Sequence, residues 1–197
     1  SLTALGFTEH SFAHVTKCAE VAARILTQLG YSPKEVELAK IAAFMHDIGN
    51  VVNRHDHALS GATMAFRILD KMGMEPPDVA AVITAIGHHD DSTAYPVNAI
   101  AAALILADKT DVRRSRVRNK DMSTFDIHDR VNYAAVDSSL TVEKEQGFIS
   151  LRIRIDTTIC AVMDYFEIFL NRMTLCRSAA AFLGLDFELI INETRML

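Results

Sequence analysis

The chain has 197 residues, half of them apolar, with a net charge of −5 and three cysteines. That length fits one domain with an appendage or two small domains. The acidic balance excludes a general nucleic-acid binder, whose surface is usually basic, and no apolar window is long enough to span a bilayer, so no membrane partner is expected. Cys18, Cys160 and Cys176 lie far apart in apolar stretches with no CxxC pair. This favours a reducing cytoplasm over a disulfide framework. The chain opens at Ser1 without an initiator Met or a charged-then-apolar leader. A mature or trimmed product without a secretory signal is expected, and its natural N-terminus can extend further.

Residues 1 to about 120 read as helix after helix. Thr8 precedes a run with Phe12, Val15, Ala19, Ala22, Ala23, Leu26 and Leu29 at helical spacing, closed by Gly30. Ser32-Pro33 opens a second helix with capping-box spacing to Glu35. It runs through Leu38, Ile41, Ala42 and Met45 into His46-Asp47, and Gly49 ends it. A polar loop with Asn50, Asn53, Arg54 and Asp56 leads to a third helix over residues 57–72. Pro76-Pro77 breaks the chain, a fourth helix spans 78–89, and after a polar loop a fifth spans 97–118.

Beyond residue 120 the period changes. Ile149, Leu151, Ile153 and Ile155 alternate with Ser150, Arg152 and Arg154, as in a strand with one buried face. Leu140 and Val142 mark a preceding strand, with residues 144–147 as the hairpin turn. Residues 157–183 read as a long helix ending at Gly184, and 187–191 as a last strand. The expected fold is mainly α: a helical bundle over 1–120, followed by a small α+β unit over 125–197 that carries no motif of its own.

Across the bundle, His14, His46-Asp47, His57, His88-His89 and Asp108 each fall on a helix or at a helix end, where a bundle can bring them to one pocket. Imidazoles with carboxylates suit Fe, Mn, Zn, Co or Ni better than Ca or Mg alone. Such an ion acidifies water and polarises a phosphoryl oxygen, and two ions can steady the entering and leaving oxygens of a phosphate ester. Taken singly, the residues have other readings. His14 suits a partly buried structural histidine, His57 a solvated helix start, and His88-His89 a helix-end cap. Asp108 is harder to dismiss, because a carboxylate buried in the apolar run 101–107 needs a partner.

The order His, His-Asp, His, His-His, Asp resembles the HD superfamily of metal-dependent phosphohydrolases. The local contexts are similar too: Phe44-Met45-His46-Asp47-Ile48-Gly49, His57-Ala58-Leu59-Ser60-Gly61-Ala62, Ile86-Gly87-His88-His89 and Leu106-Ala107-Asp108-Lys109. The resemblance covers residues 9 to about 118. It implies an HD-type bundle with two divalent transition-metal ions at its centre. His14, His46, Asp47 and Asp108 would hold one ion, and Asp47 would bridge to a second held by His57, His88 and His89. It further implies attack by a metal-activated hydroxide on a small phosphorylated substrate, nucleotides foremost. The alarmone-hydrolysing branch has an acidic pair after the His-Asp, where this chain has Ile48-Gly49-Asn50-Val51, so that substrate is discounted. In the cyclic-di-nucleotide phosphodiesterase branch a Lys stands where Asn50 is, and the loop here keeps Tyr95-Pro96 but lacks its glycines. That reading is degenerate.

Lys109, Arg113, Arg114, Arg116, Arg118 and Lys120 follow Asp108. On one continuous helix Lys109, Arg113, Arg116 and Lys120 share a face. Lys109 and Arg113 are therefore candidates, beside Asp47, for catalytic work as phosphate contacts, against the plainer reading of a solvated basic face. Arg54 and Asn53 are further phosphate candidates, and Asp90 or Asp91 a proton relay. His10 shares a helix face with His14, while His55 and His128 read as surface residues. The apolar helix with Phe166, Phe169 and Met173 leaves a face for a ligand or a second copy, so a homodimer is open. Two other functions compete with hydrolysis: a sensory module that binds metal and ligand, and a di-iron oxygenase.

Overall fold

The computed structural model describes residues 12–117, 119 and 121–196. His10, Arg118 and Lys120 lie outside the described residues. Five helices build the first part: α1 (Phe12–Leu29), α2 (Pro33–Met45), α3 (His57–Lys71), α4 (Pro76–Gly87) and α5 (Ala99–Lys109). Gly30, at φ 86°, ends the first. Ser32 and Glu35 form the expected capping box on α2, and Pro33 takes the first helical position, where its missing N–H costs nothing. The same logic starts α4 at Pro76, so the proline pair opens that helix rather than standing before it.

Helix α5 is apolar on every side, and a helix of that kind belongs in a core. It packs against α1, α2, α4 and α7 (Val162–Phe182). Asn98 caps it, accepting from the Ala101 N–H at 2.7 Å. It ends at Lys109, not at residue 118 as the basic run suggests. The Thr110 hydroxyl donates to the Leu106 carbonyl at 2.6 Å. The Arg116 guanidinium donates to the Asp111 carbonyl at 2.9 Å. Side chains that satisfy backbone groups in this way compete with the helical ladder. Residues 111–113 are irregular, Arg114–Arg116 form one 3-10 turn, and Lys109, Arg113 and Arg116 do not share the expected helical face.

A short helix missing from the sequence reading, α6 (Ile127–Ala134), follows, capped by Asp126 on the Asp129 N–H. Then come β1 (Ala135–Glu143), β2 (Phe148–Ile155), α7, β3 (Asp186–Ile191) and β4 (Thr194–Arg195). Strand β1 pairs antiparallel with β2, β2 parallel with β3, and β3 antiparallel with β4. The helix between β2 and β3 supplies the crossover that a parallel pair needs. The strand, strand, helix, strand reading therefore holds, with α6 and β4 added. One continuous buried cluster runs from Cys18 through α5 to Tyr165, Phe169 and Leu189, so bundle and α+β unit share a core. Among the described residues no helix is long and apolar enough to cross a membrane, and the three cysteines are buried and free.

Candidate metal centre

The site begins at a close approach of backbone. After His46 the chain turns through a short 3-10 segment, Ile48–Val51, that lies against the start of α3. A Cβ at Gly49 would sit 2.0 Å from the His57 carbonyl oxygen and 2.6 Å from the Gly61 nitrogen. Gly61 is itself 3.3 Å from the Gly49 nitrogen and the His46 oxygen by the same measure. Two glycines thus let the His-Asp turn press onto α3, and this brings Asp47 to His57.

Three imidazoles are fixed in one way. His46 Nδ1 lies 2.7 Å from the Ala43 carbonyl, His57 Nδ1 3.0 Å from that of Arg54, and His89 Nδ1 2.6 Å from that of Ile86. A carbonyl only accepts, so each Nδ1 carries the proton and each Nε2 presents a lone pair. Histidines that hold metals are oriented by such bonds to the far nitrogen. His46 Nε2 is buried with no hydrogen-bond partner among the described residues, 3.5 Å from Asp47 Oδ2 and 3.7 Å from Asp108 Oδ1. The Nε2 atoms of His57 and His89 face each other at 3.1 Å. Two facing lone pairs repel unless a cation lies between or beside them. Two nitrogens at about 2.0–2.1 Å from one ion in neighbouring positions lie about 3 Å apart. The donor set therefore fits divalent transition ions.

The ligand atoms of four trios each lie within 4.8 Å of one another: His14, Cys18 and Asp108; His14, His46 and Asp47; His46, His89 and Asp108; Asp47, His57 and His89. Six of the seven expected ligands are thus brought together. His88 is not among them. It ends α4, and its Nδ1 is held by the Thr84 carbonyl at 2.9 Å as in the other three, but it is only half-buried and joins none of these trios. Neighbouring residues at a helix end point in different directions, so a His-His pair delivers one imidazole here.

The surroundings of His14 escape a reading by motif. Its Nε2 is 3.2 Å from Asp108 Oδ1, and its Nδ1 2.7 Å from Asp111 Oδ2. Burial disfavours the imidazolium, but the bonds to Asp108 and Asp111 outweigh it and push His14 up to about 11. Burial would raise the Asp111 carboxyl, yet His14, Arg116 and Lys17 hold it far below the usual range. Lys17 reaches Asp111 Oδ1 at 2.8 Å and Arg113 reaches it at 2.9 Å. Arg113 thus gives its Nε to Asp111 and its Nη1 to the Ser115 hydroxyl at 3.0 Å, while its buried Nη2 has no hydrogen-bond partner among the described residues. Burial keeps the Cys18 thiol protonated, and it donates to the Ala107 carbonyl. Cys18 follows His14 by one turn of α1 and Asp111 follows Asp108 by three residues, spacings that could have flagged both.

The other half is different. Burial and the Arg54 charge lower His57. Burial, then His46 and Lys109, push His89 down to about 3. Arg54 Nη1 lies 3.2 Å from His57 Nε2, 3.3 Å from Asn50 Oδ1 and 3.5 Å from Asp47 Oδ1. Asn50 donates to Asp47 Oδ1 at 2.7 Å, which fixes that carboxylate. Lys109, only 5% exposed, places its ammonium 2.7 Å from Asp108 Oδ2 and 2.7 Å from Asp91 Oδ1. Asp90 Oδ1 stands 3.8 Å from His57 Nδ1. His55 and His128 are exposed, as expected.

Comparison with known proteins agrees with this geometry. A 123-residue stretch, 60% of the chain, is 35% identical to ribonuclease Y of Chloroflexus aurantiacus, and it spans only 22% of that protein. The family model of the HD domain matches residues 11–126, which include every residue of the centre just described. With that match over more than half its length, the chain belongs to the HD-domain family of metal-dependent phosphohydrolases.

Proposed function

We propose that the chain hydrolyses a phosphate ester of a nucleotide or other small phosphorylated metabolite at a dinuclear centre. One observation carries this reading: three imidazoles, each clamped by a backbone carbonyl, converge with their Nε2 lone pairs on Asp47 and Asp108. His14, His46, Asp47 and Asp108 would hold one ion, and Asp47, His57 and His89 the other. His88 is left out of the proposed set. Divalent ions there would supply a more acidic water and a polarised phosphoryl oxygen.

The chain's own residues do the rest. Asp47 presents one oxygen to each half, and Asn50 keeps it from turning. Arg54, partly exposed beside His57, is placed to meet a phosphate oxygen as it enters, a contact that a guanidinium makes well. Lys109 is better read as a support of Asp108 than as a phosphate contact, because both its short ion pairs are to carboxylates. The likeness to a ribonuclease favours a phosphodiester over a monoester, with a short ribonucleotide as the second substrate class. The test is metal analysis of protein purified without chelator, followed by hydrolysis assays with Mn²⁺. Mono- and bis-nitrophenyl phosphate, nucleotides and an oligoribonucleotide serve as substrates. Turnover that chelator removes and Mn²⁺ restores is expected. Turnover that persists in chelator, or bound metal without hydrolysis of any ester, would sink the reading.

A further inference from the structure

The family match ends at residue 126, yet a side chain far beyond it is wired to the centre. Arg172 lies on α7. Its guanidinium stacks on the ring of the buried Phe169, 4.8 Å from the centroid. That stacking one turn along the same helix gives the guanidinium a fixed direction. Its Nε–H donates to Asp91 Oδ2 at 2.9 Å. Asp91 belongs to the loop that follows the His pair. Its other oxygen, Oδ1, takes the Lys109 ammonium at 2.7 Å. Lys109 reaches Asp108 Oδ2 at 2.7 Å. The remaining oxygen, Asp108 Oδ1, faces His14 Nε2 at 3.2 Å and His46 Nε2 at 3.7 Å.

Four charges of alternating sign therefore run from the α+β unit to a candidate ligand. Each carboxylate spends one oxygen on each neighbour, so rotating either breaks two contacts at once. A buried ammonium is costly without partners. Lys109 must keep both of its own, and Asp91 stays where Lys109 needs it only while Arg172 holds the second oxygen.

We propose that Arg172 is a positioning residue for the metal centre. Through Asp91 and Lys109 it fixes the orientation of Asp108, so that the α+β unit sets the affinity of the ion held at His14, His46 and Asp108. The inference rests on the proposed function, in that Asp108 must be a ligand. The competing account is a surface ion pair. Arg172 and Asp91 are 27% and 37% exposed as side chains, and pairs of that kind contribute little to stability. The two accounts differ in what they move: the surface pair shifts melting slightly and leaves the metal alone.

The experiment is Mn²⁺ titration of the full chain by calorimetry, with melting in chelator alongside. Partners beyond the ligands typically cost about tenfold to a hundredfold in affinity when removed, and that is expected for Lys109→Met. Arg172→Ala, one step further out, should weaken Mn²⁺ roughly threefold to tenfold with unchanged melting in chelator. Asp91→Asn, which keeps size and removes both ion pairs, should weaken it at least as much. Arg172→Lys, which keeps the charge near Asp91 but loses the guanidinium stacked on Phe169, should lie between the parent and Arg172→Ala. The Arg172→Ala and Lys109→Met double variant should lose no more than Lys109→Met alone, since the effect passes through Lys109. Parent affinity in Arg172→Ala, or additive losses in the double variant, would overturn the inference. Asp108→Ala separates the two layers. If it binds Mn²⁺ like the parent, the proposed ligand set falls and this inference with it. If it loses Mn²⁺ while Arg172→Ala does not, only the inference falls.

Discussion

The two halves of the centre are built from the same residue types and have opposite electrostatics. Around His14 and His46 stand Asp47, Asp108 and Asp111, and the environment pushes His14 up to about 11. Around His57 and His89 stand Asp47, with Asp90 further off, and the Arg54 guanidinium; burial and Arg54 lower His57, while burial, then His46 and Lys109, push His89 down to about 3. Both halves have cations at their edge, Lys109 and Lys17 in the first and Arg54 in the second. A divalent cation is nevertheless drawn by three carboxylates in the first and by Asp47 at close range in the second. The difference teaches that a set of ligands legible as one motif need not be one site of uniform strength. Sequential filling is expected, tight at His14 and His46 and weaker at His57 and His89.

The largest effect should come where the halves join. Asp47 is the ligand proposed for both ions, with Oδ2 3.9 Å from His14 Nε2 and Oδ1 3.6 Å from His57 Nε2. Asp47→Ala should bring hydrolysis to background and strip most metal from both halves. Metal analysis and a single-turnover assay check this. Retention of one full equivalent would mean that the halves do not share Asp47. Next in size is Gly49→Ala. Its methyl would meet the His57 carbonyl at 2.0 Å, so the His-Asp turn and α3 must part. A loss of about 3 kcal/mol or more in denaturant unfolding is expected, by strain that repacking cannot relieve. An unfolding midpoint like the parent's would show that the two elements are not tightly joined.

A pair of variants with opposite signs sharpens the contrast. Asp111→Asn removes the charge behind His14 and should weaken the first ion about tenfold to a hundredfold. Arg54→Gln removes the cation beside His57. It should tighten the second ion severalfold while raising KM, if Arg54 also meets the phosphate. Titrations that resolve two binding steps separate these effects. The same sign in both variants would erase the distinction between the halves.

Much of this was legible before any coordinates. Helix-end positions for His46, His57 and His89, and a helical position for Asp108, follow from caps, glycines and apolar periodicity, which act within a few residues. Three things were not legible, each for a physical reason. The end of α5 at Lys109 depends on Asp111 being engaged by His14 and Lys17, and both sit on another helix. The basic run therefore reads as a helical face, whereas Arg113, Arg114 and Arg116 bond to Asp111, the Tyr133 carbonyl and the Asp111 carbonyl. From sequence alone Asp91 reads only as a candidate proton relay. Its partner Arg172 lies 81 residues away and gives no local signal. The short α6 lacks the length for a periodic pattern, although its cap at Asp126 is there to be read.

The smallest effect concerns the residue that motif reading and geometry treat differently. His88 and His89 are adjacent, and the resemblance assigns both to the second ion. In the structure His89 is buried, with its Nε2 3.1 Å from that of His57. His88 is only half-buried, and its Nδ1 returns to the Thr84 carbonyl at the end of α4. His89→Ala should therefore remove most of the second equivalent of metal and most activity. His88→Ala loses one hydrogen bond at a helix end, a change of about 1 kcal/mol or less in stability, and should leave metal content as it was. Local cost and ligand loss are separable, because the first appears in melting under chelator and the second in metal analysis. If His88→Ala instead loses a metal equivalent to the same extent as His89→Ala, the loop after α4 must turn when the ion binds. The second half would then be assembled by its ligand rather than preformed, and the contrast with the rigid His14 half would be one of flexibility as well as charge.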